Sequence, residues 1–403
     1  MGNTLSIAVV STHVIQHFAP LYRRLAQVPE VRLKVFYCSR SGLDPYHDSG
    51  FAMKCSWDTD LLAGYESEFL PGAEAPIQPR FWANDSPQVA SRLAEFGAQA
   101  LITFGYSRVV MLRALRWANR RRIPVIMLSD SELIHPRAKW KRVVKKLVLP
   151  RIFRRVSGFL TIGDNNEAYL RYYGVAAHKL YRGAYPTDEE VFWKAREQRA
   201  ALRLSTRQKR RIGLDEFVAL FVGKLIPRKR PLDLLQAAIR LSRDPALCPR
   251  MTAVFAGDGE LRGALERDAR ASGGACCKFL GFLNQSELPA AYAAADVLVH
   301  PAEEDAHPLT ITESAMVGLP VIVSNKIGCI GPTDTARPGQ NALVYPAGDV
   351  GALAHALRTM LMNPHQLAAM EAATLKVARE CGLDAAVSGV LKAVQGVVLS
   401  KST

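Results

Sequence analysis

Asp305 and Glu313 lie eight residues apart in the stretch PAEEDAHPLTITESAMVGLP, residues 301–320. Ionised carboxylates are strong hydrogen-bond acceptors. Taken alone, such a pair also fits a surface acidic loop running into a helix start. Upstream, FVGKLIPRKRP places Gly223, Lys224, Arg228 and Lys229 directly after an apolar run and before a helical pattern. Gly223 permits a turn that a side chain would obstruct. Lys224 and Lys229 can neutralise a pair of phosphates, or can be solvated residues of an ordinary turn. FAGDGEL sets Gly257, Asp258 and Gly259 after the next apolar run. A glycine-rich turn at a helix start can offer backbone N–H groups to phosphate. Neither place carries a Walker A pattern or a dinucleotide G-x-G-x-x-G.

These residues need a scaffold that brings loop ends together. Apolar runs occur at 6–10, 31–37, 100–103, 124–128 and 158–162, and again at 217–223, 252–257, 276–281, 296–300, 320–324 and 341–345. Helical patterns such as 231–241 and 287–295 alternate with them. Short β-rich runs alternating with helices predict βαβ units and parallel sheets. Ligands of such sheets sit beyond the carboxyl ends of the strands. Residues 186–215 are highly charged and nearly strandless, and are expected to form a helix plus linker between two α/β domains, 1–185 and 216–380. A C-terminal helix over 381–403 is expected to pack back toward the first domain.

The chain has 403 residues, 49% hydrophobic and 22% charged, a globular composition. Seven cysteines without metal-ligand spacing favour a reducing compartment. Cys276 and Cys277 fall in an expected strand, where neighbours point to opposite faces. The N-terminal MGNTLSIAVVST reads as a buried strand rather than a leader, although MGNTLS formally fits a myristoylation pattern. No run approaches eighteen apolar residues, so no membrane span is expected. Net charge is +15. Residues 108–155 hold fifteen Lys and Arg against Asp130 and Glu132. Within 138–155, Trp140, Val143, Val144 and Leu147 recur at helical spacing among Lys139, Arg142, Lys145 and Lys146, and Pro150 is expected to end or kink the helix. This helix can lay its apolar face on the core, or contact anionic lipid or a lipid-linked substrate. Nucleic acid is disfavoured, because no zinc-finger spacing or RNA-binding aromatic motif accompanies the patch.

The order of motifs resembles the C-terminal domain of retaining glycosyltransferases of family 4. FVGKLIPRKRPLDLL is similar to the family's Gly-basic stretch, FAGDGEL to its Gly-Asp-Gly turn, and DAHPLTITESAMVGLPVIVS to its E-x7-E signature. The specific match spans about 217–350. THVIQHFAPLYRRLA, WDTDLLAGYESEFL and IGDNNEAYLRYYGV match more loosely the members that modify polysaccharides, lipid carriers or secondary metabolites. The resemblance implies a GT-B fold, two Rossmann-like parallel-sheet domains facing a central cleft. It implies that Asp305 lies near the donor-sugar hydroxyls and Glu313 binds the nucleotide ribose. It implies that Lys224 and Lys229 hold the diphosphate, and that His307, Pro308, Leu309 and Thr310 lead the loop to a helix whose dipole favours it. Gly328 would lie in a loop near the same diphosphate. Asp305 is one methylene shorter than the family's usual Glu, and His307-Pro308 replaces the common Phe-Gly.

The N-terminal domain would bind the acceptor. His13 and His17 follow the first strand. Asp130, Ser131 and His135 follow the strand at 124–128, where relatives place a sugar-contacting His and this chain has Asp-Ser. Asn165 and Asn166 are further polar candidates. The implied activity is retaining transfer of a hexose-type sugar, from a nucleotide-sugar substrate with UDP favoured, to a glycan, lipid-linked or secondary-metabolite acceptor. No metal or cofactor is called for, and the expected location is cytoplasmic or peripheral on the inner membrane face. A GT-B epimerase or phosphorylase remains an alternative, as does a non-catalytic nucleotide-sugar-binding subunit.

Overall fold

In the computed structural model the apolar runs become strands almost residue for residue. It describes residues 4–43, 46–48, 50, 53–55, 57–135, 138–245, 247, 251–274 and 276–399. Met1, Gly2 and Asn3 of the myristoylation-like stretch, and Pro136 and Cys248, lie outside the described residues. The strands in chain order are β1 (Leu5–Ser11), β2 (Val31–Tyr37), β3 (Tyr46–Asp48), β4 (Met53–Cys55), β5 (Glu66–Phe69), β6 (Ala100–Phe104), β7 (Val125–Leu128), β8 (Gly158–Thr161) and β9 (Leu180–Arg182). There follow β10 (Phe217–Val222), β11 (Met251–Ala256), β12 (Cys277–Gly281), β13 (Val297–His300), β14 (Val321–Ser324) and β15 (Ala342–Tyr345).

The chain forms two compact units. The first takes the described residues of 1–46, 59–188 and 382–403; the second takes those of 47–58 and 189–381. Each is built on one parallel sheet, ordered β5-β2-β1-β6-β7-β8-β9 in the first unit and β12-β11-β10-β13-β14-β15 in the second. The central strands are buried along their length, as β10, β11 and β13 show, because helices cover both faces. This is the two-fold Rossmann-like α/β class that the alternation of runs predicts. In each sheet the strand order reverses beside the first strand, between β1 and β6 and between β10 and β13. Such switch points open crevices at the strands' carboxyl ends.

Four local expectations need correction. Of the helix plus linker expected over 186–215 the helical part forms, as Glu189–Glu197 and Arg199–Arg210, but these helices belong to the second unit instead of standing between the two. Arg207 explains why a charged segment is drawn in. Fully buried, it donates to the carbonyls of Ala294, Gly213, Leu214 and Glu216 and pairs with Asp296 at 2.8 Å. Cys276 precedes β12, so it escapes strand alternation and its Sγ lies 3.6 Å from that of Cys277. Pro150 does not end the basic helix, which runs over Lys139–Phe153; the Pro150 carbonyl still accepts from Arg154 N at 3.1 Å. Nor does that helix lay its apolar face on the core. Trp140 is 65% exposed and Leu147 59%, with Val143, Val144 and Val148 also exposed, while only Leu149 and Phe153 are buried.

The stretch Pro364–Leu399 contains a window of mean hydropathy 1.4, enough to cross a membrane by length and composition. It consists of two helices, Pro364–Glu380 in the second unit and Leu383–Leu399 in the first. The latter packs on β8, β9 and the helix Ala19–Ala26. Gly389 lets it approach closely, since a Cβ there would stand 2.6 Å from the Gly183 Cα.

Candidate functional site

At the switch point of the second sheet, two backbone turns stack on each other. Gly223 follows β10 and Gly257 follows β11, both with left-handed φ, 140° and 150°. A Cβ on Gly257 would lie 1.9 Å from the Gly223 carbonyl oxygen, so glycine is required for the approach. Hydrogen bonds from Gly223 N to Ala256 O (3.0 Å) and Leu225 N to Asp258 O (2.8 Å) lock the turns together. This corrects the role expected of their N–H groups. Gly257 N donates to Gly281 O at 2.8 Å and Gly259 N to Asp258 Oδ1 at 2.8 Å, so these donors are spent within the fold. Asp258 also accepts from Arg262 Nη1 at 2.5 Å, which fixes it to its own loop.

The basic and acidic loops meet a few residues on. Lys229 closes the 3-10 turn Pro227–Lys229. Arg230 then adopts a left-handed conformation and forks onto buried Asp233 at 2.8 and 3.0 Å, starting the helix Pro231–Ser242. Glu303 N donates to Arg228 O at 2.9 Å, tying the two loops. Lys229 Nζ thereby reaches Asp305 Oδ2, and His300 Nε2 reaches the same oxygen at 3.0 Å. Burial alone would raise the Asp305 carboxyl, but His300 and Lys229 outweigh it and hold the group well below the usual carboxylate range. Burial pushes His300 down, so a neutral ring is favoured, with Nε2–H donating to Asp305 and Nδ1 facing Thr310 Oγ1 at 3.4 Å.

The loop beyond is held from beneath. Gly328 N donates to Asp305 O at 2.8 Å, and a Cβ on Gly328 would lie 1.9 Å from the Ala306 carbonyl oxygen. The His307 side chain is buried, its Nε2 3.4 Å from Asp334 Oδ1. Pro308 precedes the helix Leu309–Val317 in extended conformation. Glu313, one turn in, is buried and accepts from the Tyr292 hydroxyl at 2.8 Å. Burial pushes the Glu313 carboxyl up to about 7, against the smaller opposing effect of that hydrogen bond. Lys229, Asp305, Thr310 and Gly328 therefore form one connected cluster, with Glu313 on the helix that leaves it. Sequence reasoning missed His300, Tyr292 and Asp334. A polar residue closing the apolar run DVLVH was the one available signal.

The first-unit candidates are more dispersed. Asp130 and Ser131 line a pocket of about 390 Å³ with Ile15, Phe18, Phe104 and Tyr185, at the carboxyl ends of β6 and β7. His17 packs between Phe18 and Tyr185, at ring distances of 4.7 and 4.9 Å. His13 Nδ1 lies 2.9 Å from Thr12 Oγ1, and burial, helped by Arg108, pushes its ring down to about 4. His135 lines a separate hollow, with Nδ1 2.7 Å from Glu132 Oε1. Asn165 is the second residue of the helix Asp164–Tyr172, and its neighbour Asn166 is a buried brace, donating to Ser131 O at 2.8 Å. Among the described residues, no group of three or more His, Cys, Asp or Glu is placed to hold a metal.

Residues 203–377, which include the whole glycine, lysine and carboxylate cluster, match the family model described as Glycosyl transferases group 1. The match is confined to that segment of the chain, while the two Rossmann-like units together have the GT-B architecture. It is 31% identical over 198 residues to a D-inositol 3-phosphate glycosyltransferase of Thermomonospora curvata, covering 47% of this chain and 45% of the relative. It is 25% identical over 282 residues to the sulfoquinovosyl transferase SQD2 of Arabidopsis thaliana, covering 68% of this chain and 52% of the relative. The chain thus spans about half the length of the curated relatives it matches. Among solved structures, Anabaena Alr3699/HepE in complex with UDP superposes with a TM-score of 0.71 at 15% identity, covering 97% of this chain and all of that one. A glycosyltransferase of Rickettsia africae gives 0.73 at 11% identity, covering 98% and 99%. At these identities the likeness establishes the fold.

Proposed function

We propose that the chain is a glycosyltransferase that moves a hexose-type sugar, with retention, from a nucleotide-sugar substrate to a glycan, lipid-linked or secondary-metabolite acceptor. The observation that carries this reading is the meeting of Lys229 with Asp305 at the β10/β13 switch point, eight residues before the buried Glu313. In this reading Glu313 accepts from the ribose and Asp305 from the sugar. Lys224 and Lys229 stabilise charge as it builds on the departing diphosphate. The N-terminus of Leu309–Val317 adds its dipole to the same place. Attack comes from the front face, the leaving phosphate taking the acceptor proton. The carboxylates bind hydroxyls and are not a hydrolytic acid and nucleophile. UDP is the favoured nucleotide, supported by the one Anabaena protein, Alr3699/HepE, solved with UDP and with UDP-glucose. The pocket at Asp130 and Ser131 is the proposed acceptor side, with His17 packed on its Phe18 and Tyr185 walls and with His13, His135 and Asn165 as further acceptor candidates of the first unit.

The exposed face of Lys139–Phe153 supports a cytoplasmic enzyme that rests on an anionic membrane. Trp140, Val143, Val144 and Leu147 are out in solvent among Lys139, Lys141, Arg142 and Lys146, a combination suited to the headgroup boundary. Calorimetric titration with UDP, GDP, ADP and dTDP tests the enzymatic reading. Micromolar binding of one of them, lost in Glu313→Ala, is expected; no binding of any nucleotide or nucleotide sugar would overturn it.

A further inference from the structure

His300 is buried, 3% exposed, at the last position of β13, where the chain enters the acidic loop. Its ring touches both ends of that loop. Nε2 meets Asp305 Oδ2 at 3.0 Å, and Nδ1 faces Thr310 Oγ1 in the first turn of the following helix at 3.4 Å. Lys229 Nζ converges on the same Oδ2. Among the described residues, no hydrogen bond falls on Oδ1. A carboxylate with one oxygen pinned and the other open is a fixed acceptor rather than a swinging one. The pinning also answers the short side chain: Asp305 has one χ angle fewer than a glutamate, and a buried imidazole sets the one that decides where Oδ1 points. A leucine in its place would leave Oδ2 held only by the lysine, whose flexible stem also has a diphosphate to serve.

We infer that His300 is a positioning residue, which orients Asp305 so that Oδ1 is presented to a hydroxyl of the donor sugar. The inference rests on the proposed donor-binding reading and deepens it. His300 acts through Asp305 and touches no substrate itself. Its removal should therefore cost the affinity contributed by the sugar and spare the affinity contributed by the nucleotide.

The test compares UDP with UDP-glucose by calorimetry in wild type, His300→Leu, His300→Asn, Asp305→Asn and the double variant His300→Leu/Asp305→Asn. Loss of a hydrogen bond to a charged group predicts that His300→Leu lowers the UDP-glucose to UDP affinity ratio roughly tenfold. UDP affinity itself should stay within about twofold of wild type, which also shows that the second unit is folded. His300→Asn, which keeps an N–H donor, should recover part of the ratio. The double variant should lose no more than Asp305→Asn alone, because both changes remove one function. If wild type binds no UDP or other nucleotide, the glycosyltransferase reading falls and the inference with it. If wild type binds UDP but gains nothing from the sugar, or His300→Leu keeps the wild-type ratio, the inference alone falls. An equal loss for UDP and UDP-glucose would make His300 a merely structural residue and overturn it too.

Discussion

The Tyr292 hydroxyl donates to Glu313 Oε2 at 2.8 Å, with both side chains buried in the second unit. Burial pushes the Glu313 carboxyl from its ordinary value of 4.5 up to about 7, and the Tyr292 hydrogen bond offsets only part of that rise. Between those values the unfolded chain releases a proton that the folded one keeps. The stabilisation is present below about pH 4.5 and is lost as pH rises through 7, amounting to about 3 kcal/mol. Glu313→Gln should remove this component from the pH dependence of denaturant unfolding. A ribose hydroxyl needs an acceptor, so wild-type UDP affinity should rise several-fold from pH 6 to 8 relative to Glu313→Gln. Parallel pH profiles for the two proteins would contradict this account of Glu313.

Lys229 meets Asp305 across two loops, and the leaving diphosphate gains charge in the proposed transition state. Lys229→Ala should lower nucleotide-sugar affinity and turnover together, by roughly 30–150-fold. Near-wild-type kinetics would reduce Lys229 to a structural ion pair.

Gly328 has no room for a side chain, since a Cβ would overlap the Ala306 carbonyl oxygen. Gly328→Ala should push the acidic loop away and destabilise the second unit by about 1–3 kcal/mol. Scanning calorimetry should show a lowered transition, and titration a reduced sugar contribution. An unchanged transition would mean that the loop can shift at little cost.

Reversing Lys139, Arg142, Lys145 and Lys146 together should abolish sedimentation with vesicles of phosphatidylglycerol and phosphatidylcholine at physiological salt. Each charge near such a surface is worth about 1 kcal/mol. UDP binding should survive, because its proposed site is in the other unit. Trp140 fluorescence should shift to the blue when wild type meets the vesicles. Binding at low salt alone would be the unspecific attraction of a chain of net charge +15, and would leave a soluble acceptor as the better reading.

The sequence shows its central strands because their function is to be buried. FVALFV and VLVH are apolar on both faces, and that is visible without partners. The edge strands β5 and β9 are not: ESEF and LYR are half-exposed, and only a neighbouring strand makes them strands. Glu313 and Lys229 are legible as chemistry because charge beside glycine after an apolar run needs a reason. Tyr292 and Asp334 are not, since each earns its place through a residue distant in sequence. The basic helix was ambiguous for another reason. Helical spacing of Trp140, Val143, Val144 and Leu147 gives a face, but cannot say whether that face meets core or solvent. The glycine turns show a third limit. Their residue types fit phosphate binding, yet the hydrogen bonds of Gly257 and Gly259 show that the turns close on themselves.

The central claim is transfer of a sugar from a nucleotide donor. Release of nucleoside diphosphate from UDP-glucose, UDP-galactose, GDP-mannose and ADP-glucose, followed with and without mixed glycan and lipid-phosphate acceptors, tests it most directly. The account predicts release from at least one donor, stimulated by an acceptor and suppressed at least roughly 30-fold in Lys229→Ala. Release from no donor under any acceptor condition, or release undiminished in Lys229→Ala, would contradict it.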